Sequence, residues 1–168
     1  MSQSDPGERA PWWKGSRGEW YVVAQAGLFV LVAFGPRTCV GLPRWPFWLA
    51  AAALVAGIAL VFSGGGLLLA AFAKLGRNLT PLPFPKAGGE LVVGGAYRVV
   101  RHPIYAGGSA AAFGWALCVH GPLTFGYAGL LFILFDLKSR REERWLAAKF
   151  PAYVDYQKRV HRLIPFVY

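Results

Sequence analysis

Four stretches of the chain carry no charged side chain over lengths close to the thickness of a bilayer: residues 20–36, 45–73, 103–119 and 121–135. A helix needs about 17–25 mostly apolar residues to cross the hydrocarbon core, so the second stretch is comfortable and the others lie near the lower limit. Lipid offers no partners to backbone polar groups, so each stretch must be helical. The pattern predicts an all-α integral membrane protein with about four transmembrane helices.

The polar segments between these stretches predict their own elements. His120-Gly121-Pro122 separates the last two stretches and predicts a tight helical hairpin. Alternating prolines make residues 80–86 an extended strap, because proline and the residue before it disfavour helix. Glycine pairs on both sides of residues 90–93 allow tight turns. Residues 138–150 have helical periodicity, and residues 152–160 can form a further turn or two with both of their tyrosines on one face.

Composition agrees with a membrane location. The chain is 55% hydrophobic and 15% charged, whereas soluble domains carry about 25% charged residues. The net charge of +10 comes from residues placed between the apolar stretches, which favours anionic lipid headgroups over nucleic acid as its partner. Two cysteines are too few for a disulfide scaffold. The sequence also contains no cluster of histidines and cysteines of the kind that predicts a metal site.

The basic residues predict an orientation. All but two of the 18 lysines and arginines lie before the first stretch, between the second and third, or after the fourth; the exceptions are Arg37 and Arg44. By the positive-inside rule, both termini and the middle loop are cytosolic, as in a protein of the cell inner membrane or its equivalent. We expect a single domain over residues 1–168, with a cytosolic tail at residues 1–19 and a retained first helix in place of a cleaved signal peptide.

Small residues are concentrated in two stretches, at residues 64–66 and 107–112. Close helix packing of the small-xxx-small kind accounts for them most simply. A missing layer of side chains also leaves room for a ligand, and both roles can hold for the third stretch.

Two polar clusters lie on the predicted cytosolic side. The first, where the middle loop meets the third stretch, contains Tyr97, Arg98, Arg101, His102 and Tyr105. Pro103 suits the first position of a helix, so backbone N–H groups near His102, joined by Arg101, form an anion-receptive site. The second cluster, beyond the fourth stretch, contains Glu142 and Glu143 among arginines. The hairpin should bring the two clusters into contact.

An arginine–histidine cluster facing two carboxylates suits a ligand with both carboxylate and ammonium groups. The same residues can also have purely structural roles. Arg98 and Arg101 can contact lipid phosphates, and Glu142 and Glu143 can form a solvated helix face paired with neighbouring arginines. His102 can be a helix cap or a packed core histidine.

The first cluster also carries a resemblance. Residues 95–107 are similar to the GxYxxxRHPxYxG signature of the isoprenylcysteine carboxyl methyltransferase and phospholipid methyltransferase superfamily. The similarity runs from about residue 76 to 165 and includes the downstream glutamate pair, so this segment is the expected catalytic core. The resemblance implies a cytosolic cofactor pocket formed by the middle loop and the C-terminal helices.

The resemblance further implies S-adenosyl-L-methionine as cofactor and a lipid-like or small amphiphilic molecule, with an isoprenylcysteine-type carboxylate or phospholipid-type amine, as acceptor. By analogy, the cofactor-binding residues are Tyr97, Arg101, His102, Pro103, Tyr105, Gly107, Glu142 and Glu143. The expected catalytic residues are Arg101, His102, Glu142 and Glu143, with Arg159 and Arg162 as further residues that help close the pocket.

Two further functions remain open. Membrane sterol reductases share an RHxNY-like segment and a C-terminal IPxxY, and residues 162–168 are similar to that ending. An NADPH-dependent reductase is therefore the alternative, although Ile104 stands where those enzymes have asparagine. A non-enzymatic membrane scaffold is the third.

Overall fold

The computed structural model describes residues 18–39, 41, 45–80 and 88–168. Within these residues it is all-helical, without a strand, which confirms the predicted class. Two short 3-10 turns, Gly76–Asn78 and Gly95–Arg98, accompany five helices: α1 (Glu19–Phe34), α2 (Phe47–Leu75), α3 (Pro103–Cys118), α4 (Pro122–Lys149) and α5 (Tyr153–Arg159).

One described helix is long and apolar enough to cross a membrane. Together with the turn after it, α2 forms a 32-residue helix, Phe47–Asn78, whose most apolar part has a mean hydropathy of 2.2. Its outward side chains are largely uncovered, and Val55, Phe62 and Leu69 are 70%, 75% and 68% exposed. A contiguous apolar surface of this kind is typical of contact with lipid or a partner. Association with a membrane is therefore suggested.

Helices α2 and α3 lie antiparallel and touch through glycine backbones. A Cβ atom at Gly64 would lie 2.6 Å from the carbonyl oxygen of Gly107, and one at Gly57 would lie 2.6 Å from that of Gly114. Both pairs are seven residues apart along their helices, so they recur on one face. Of the small residues singled out in the sequence, Gly64 and Gly107 thus serve close packing, the simpler of the two predicted roles, whereas Gly65 and Gly66 meet nothing within 4 Å.

Helix α4 packs between α3 and α1. The core of this layer consists of Val32, Ala112, Ala128, Leu131 and Phe135, all buried. The helices are ordered α1, α4, α3, α2 across the molecule, and the tight hairpin between α3 and α4 turns at His120, where φ is +48°.

Helix α4 differs from its prediction. The apolar stretch 121–135 and the helical segment 138–150 form one helix from Pro122 to Lys149. No proline or glycine lies between Gly129 and the end of this helix, so nothing in its second half interrupts the backbone hydrogen bonds. Most of the strap predicted at residues 80–86 falls outside the described residues. Cys39 and Cys118 are both free.

Candidate active site

The backbone at the start of α3 is held by the C-terminal segment. Arg101 N–H donates to the carbonyl of His161 at 2.8 Å, and His102 N–H donates to that of Arg162 at 3.1 Å. The hydroxyl of Tyr156, on α5, donates to the backbone carbonyl of Tyr97. These hydrogen bonds hold the start of the signature-bearing segment against the C-terminal segment of the chain.

The predicted contact between the two polar clusters is confirmed. Arg101 Nε donates to Glu143 Oε1 at 2.7 Å, and His102 Nε2 lies 3.2 Å from the same oxygen. All three side chains are almost fully buried. The α3–α4 hairpin brings them together because both helices reach the same end of the molecule.

Glu143 is saturated by protein donors. Its Oε2 accepts from Arg162 Nε at 3.2 Å and from Gln157 Nε2 at 3.3 Å, while Oε1 contacts Arg101 and His102. Burial by itself raises the pKa of this carboxyl, but the hydrogen bonds from His102 and Arg101 outweigh it and lower the pKa to about 2. Glu143 therefore stays ionised and occupied within the protein.

The guanidinium of Arg101 is likewise hydrogen-bonded to several groups of the protein. Besides Glu143, its guanidinium donates to the backbone carbonyls of Gln157, at 3.1 Å, and Val160. It ties α4, α5 and the start of α3 into one unit. His102 occupies the predicted cap position at the start of α3, but its side chain makes no cap hydrogen bond.

Glu142 has a different environment from its neighbour. Its Oε2 accepts a hydrogen bond from Tyr105 Oη at 2.8 Å and lies 3.7 Å from His102 Nδ1. The side chain remains 26% exposed and lines a cavity that Glu143 does not line. Of the two adjacent carboxylates, Glu142 is the one that can contact a ligand.

The cavity has a volume of about 360 Å³, within the range of small-molecule sites. Its wall combines the turn at Tyr97, the start of α3, the second half of α4 and residues of α1, α2 and α5. Polar side chains in the wall are Gln25, Asn78, Thr80, Glu90, Tyr97, Arg101, His102, Tyr105, Lys138, Glu142, Tyr153 and Tyr156. Apolar ones include Phe29, Leu68, Leu75, Ile104, Phe135 and Leu146.

Aromatic rings order one side of this cavity. The ring of Tyr105 stacks on His102, with centroids 5.5 Å apart, and on Phe135, with centroids 4.9 Å apart. Tyr153 lies in the wall 2% exposed, and its hydroxyl has no hydrogen-bond partner among the described residues. Buried hydroxyls are normally satisfied, so a polar ligand atom would complete this one.

The predicted site residues separate into two groups. Tyr97, Arg101, His102, Pro103, Tyr105 and Glu142 line the cavity. Gly107, expected in the cofactor pocket, instead lies against α2, where its Cβ would be 2.5 Å from the carbonyl oxygen of Gly64. The next residue, Gly108, faces the cavity and Phe135. Of the further pocket-closing residues, Arg162 binds Glu143 and Asp136, and Arg159 is exposed.

Sequence reasoning missed Gln25, Lys138 and Tyr153 as residues of the cavity wall. Gln25 is the one polar residue within the first apolar stretch, which was the available signal for it. Lys138 counted only as one of the basic residues on the predicted cytosolic side, and the structure shows that it is buried. Among the described residues, no group of three or more His, Cys, Asp or Glu side chains is arranged to hold a metal ion.

Comparison with known protein families assigns the chain to one of them. The model of the family described as phospholipid methyltransferase matches residues 52–152, more than half of the chain. The match begins within α2, so it includes a helix that the sequence signature did not reach, and it spans both glutamates of α4. A search of curated proteins found no significant match. Nothing in these findings favours the reductase alternative, and the family implies methyl transfer to a lipid-type substrate. The chain belongs to the phospholipid methyltransferase family of integral membrane methyltransferases.

Proposed function

We propose that the protein transfers a methyl group from S-adenosyl-L-methionine to a lipid-like or amphiphilic acceptor at the cytosolic face of a membrane. The main support is the cavity itself, which is lined by Glu142, by apolar side chains of α1 and α2, and by Tyr153, whose hydroxyl has no hydrogen-bond partner in the described part of the chain. A polar ligand and an apolar chain can therefore meet there.

The polar residues of the wall fit the cofactor's functional groups. Glu142 would accept hydrogen bonds from ribose hydroxyls or lie beside the positively charged sulfur, and Tyr153 would donate to a polar atom. Tyr97, Pro103 and Tyr105 would enclose the ligand, and His102 would hold the ring of Tyr105 in place through their stacking contact. When bound, S-adenosyl-L-methionine supplies a methyl group on a positively charged sulfur.

The residues act mainly by position. Methyl transfer requires alignment of donor and acceptor more than covalent assistance, so the stacked rings and the buried wall would contribute through orientation and exclusion of water. An acceptor carboxylate needs no base. An acceptor amine must lose a proton, and Glu143, with its pKa of about 2, is a poor base. His102 or Glu142 would take that proton.

The proposed setting is the one that the basic residues predict. Residues 1–168 form one methyltransferase domain with residues 76–165 as its catalytic core. It has four membrane-spanning segments, corresponding to α1, α2, α3 and the first half of α4, and both termini and the cavity face the cytosol. The position of the cavity beside the basic middle loop and C-terminal segment, and the row of exposed apolar side chains on α2, support this arrangement.

Calorimetry of the detergent-purified protein tests the cofactor. We expect binding of S-adenosyl-L-methionine and none of NADPH. Tyr153→Phe should weaken cofactor binding by about two- to tenfold, the value of one hydrogen bond, without lowering the unfolding temperature of the ligand-free protein.

Ser109→Ala is the matched control, because it also removes a buried hydroxyl without a described partner, but from a residue outside the cavity lining. Binding of NADPH with no binding of S-adenosyl-L-methionine would overturn the proposal. An equal effect of the two substitutions would remove Tyr153 from the site.

A further inference from the structure

The most fully buried cation in the described part of the chain has no place in the mechanism above. Lys138, on α4, is 2% exposed. Its Nζ donates to Gln25 Oε1 on α1 at 2.7 Å and lies 5.2 Å from the centroid of the Tyr105 ring. Lys138 is thus a positively charged side chain that is buried in the wall of the cavity and held there by a residue of another helix.

Lys138 lies where the cavity wall changes character. Residues three or four apart share one face of a helix, so Phe135, Lys138, Glu142 and Leu146 form a single row along α4, and all four line the cavity. On α1, Gln25 and Phe29 form a second such pair. Lys138 is therefore placed between the apolar side chain of Phe135 and the ligand-facing carboxylate of Glu142.

An amphiphile that keeps its tail in the apolar part must place its head group at this boundary. A lysine ammonium has three donors, so it can hold Gln25 and an anionic oxygen at the same time. Burial lowers the pKa of Lys138 to about 8, against an opposing effect of Glu142, so the cation still predominates at neutral pH. Hydrogen bonds from a charged donor are among the stronger ones.

Building on the proposed function, we infer that Lys138 is a specificity-determining residue whose ammonium, positioned by Gln25, binds an anionic oxygen of the acceptor's head group. The anionic group is a phosphate or a carboxylate. The acceptor is therefore an acidic or zwitterionic amphiphile, and an amphiphile with an uncharged head group binds weakly.

Binding of short-chain lipids to the purified full chain tests this inference without turnover. The phosphate arm compares dioctanoyl phosphatidic acid with dioctanoylglycerol, and the carboxylate arm compares dodecanoate with dodecanol. In at least one arm the wild type should prefer the anionic lipid by about tenfold or more. The arm that shows the preference identifies the anionic group. A wild type without preference in either arm would overturn the inference.

Three variants separate recognition from more general effects. Lys138→Met should reduce the preference to less than about threefold and keep the fold, because Gln25, which loses a hydrogen bond, is uncharged and only partly buried. Lys138→Arg keeps the charge and should keep most of the preference. Arg144→Met removes an exposed cation of the same helix and should leave the preference unchanged, unless general attraction to the protein surface causes it.

The inference and the proposed function fail separately. Failure of the wild type to bind S-adenosyl-L-methionine would contradict the proposed function, whatever lipid the protein prefers. An equal preference in the wild type and Lys138→Met, with cofactor binding intact, would end only the role of Lys138.

Discussion

At the scale of residues, two adjacent carboxylates on one helix have opposite environments. Consecutive positions of an α-helix point about 100° apart, so Glu142 faces the cavity while Glu143 faces the C-terminal segment. Glu143 holds Arg101, His102, Gln157 and Arg162. Glu143 therefore stabilises the arrangement of α3, α4 and the C-terminal segment beside the cavity, whereas Glu142 is available to a ligand.

Substitution by glutamine should separate these contributions. Glu143→Gln leaves Arg101 buried without a counter-charge, so we expect a loss of about 3 kcal/mol or more in the free energy of unfolding. Glu142→Gln should cost less than about 1 kcal/mol, because the side chain is partly exposed, but should weaken cofactor binding. Thermal unfolding and calorimetry measure both effects, and equal stability of the two variants would contradict this division.

The same carboxylate predicts a response to acid. The folded pKa of Glu143 is about 2, below its ordinary value of 4.5, so the unfolded chain binds the proton more readily. Its stabilising contribution is fully present above about pH 4.5 and is lost as the pH falls towards 2. The wild type should lose stability across this interval, and Glu143→Gln should show a flatter profile there when unfolding is followed against pH.

At the scale of elements, the glycines of α2 and α3 set the shape of the cavity. Their backbones touch at two levels, Gly57 with Gly114 and Gly64 with Gly107. Further along the same pair of helices, Leu68 of α2 and Tyr105 of α3 line the cavity. The spacing of the helices therefore determines how far apart two of its walls stand.

A methyl group at one of these contacts should force the helices apart. A Cβ at Gly64 would lie 2.6–3.0 Å from three atoms of α3, two of them backbone atoms, whereas one at Gly65 would meet nothing within 4 Å. We expect Gly64→Ala to destabilise the protein by about 1–3 kcal/mol and to weaken cofactor binding. Gly65→Ala is the matched control, and the same unfolding temperature for both would show that this contact is not tight.

At the scale of the whole molecule, the positively charged segments and the cavity lie at the same end. Tyr97, His102 and Glu142 line the cavity, and they adjoin the two segments richest in lysine and arginine. The opposite end holds the α3–α4 turn and Cys39. In a membrane, the positive-inside rule then predicts that the cavity opens to the cytosol and Cys39 to the other side.

Cysteine labelling tests this orientation. In a Cys118→Ser background, a membrane-impermeant maleimide should label Cys39, which is exposed, in intact cells. In a second variant that lacks both native cysteines, Lys158→Cys introduces a thiol at a position whose side chain is 70% exposed, and it should react only after the membrane is permeabilised. Labelling of the latter in intact cells would reverse the proposed topology.

Much of this architecture could be predicted because its signals are local. Uncharged stretches of about 15 residues or more identify helices through the cost of unpaired backbone groups in lipid, and the short hairpin at residues 120–122 requires neighbouring helices to return to one end. The contact of His102 and Arg101 with the glutamate pair follows from that return. The continuity of α4 was missed, because the change from apolar to charged composition suggested a break that the backbone does not require.

By itself, the sequence determined the helical class, the hairpin and the meeting of the two polar clusters, since each follows from periodicity or composition over short distances. Only the tertiary structure decided which member of each neighbouring pair faces the cavity: Glu142 in place of Glu143, and Gly108 in place of Gly107. It also decided that Lys138 is buried against Gln25, more than a hundred residues earlier in the chain. Those outcomes depend on the rotation of packed helices about their own axes, which distant contacts set and no local pattern encodes.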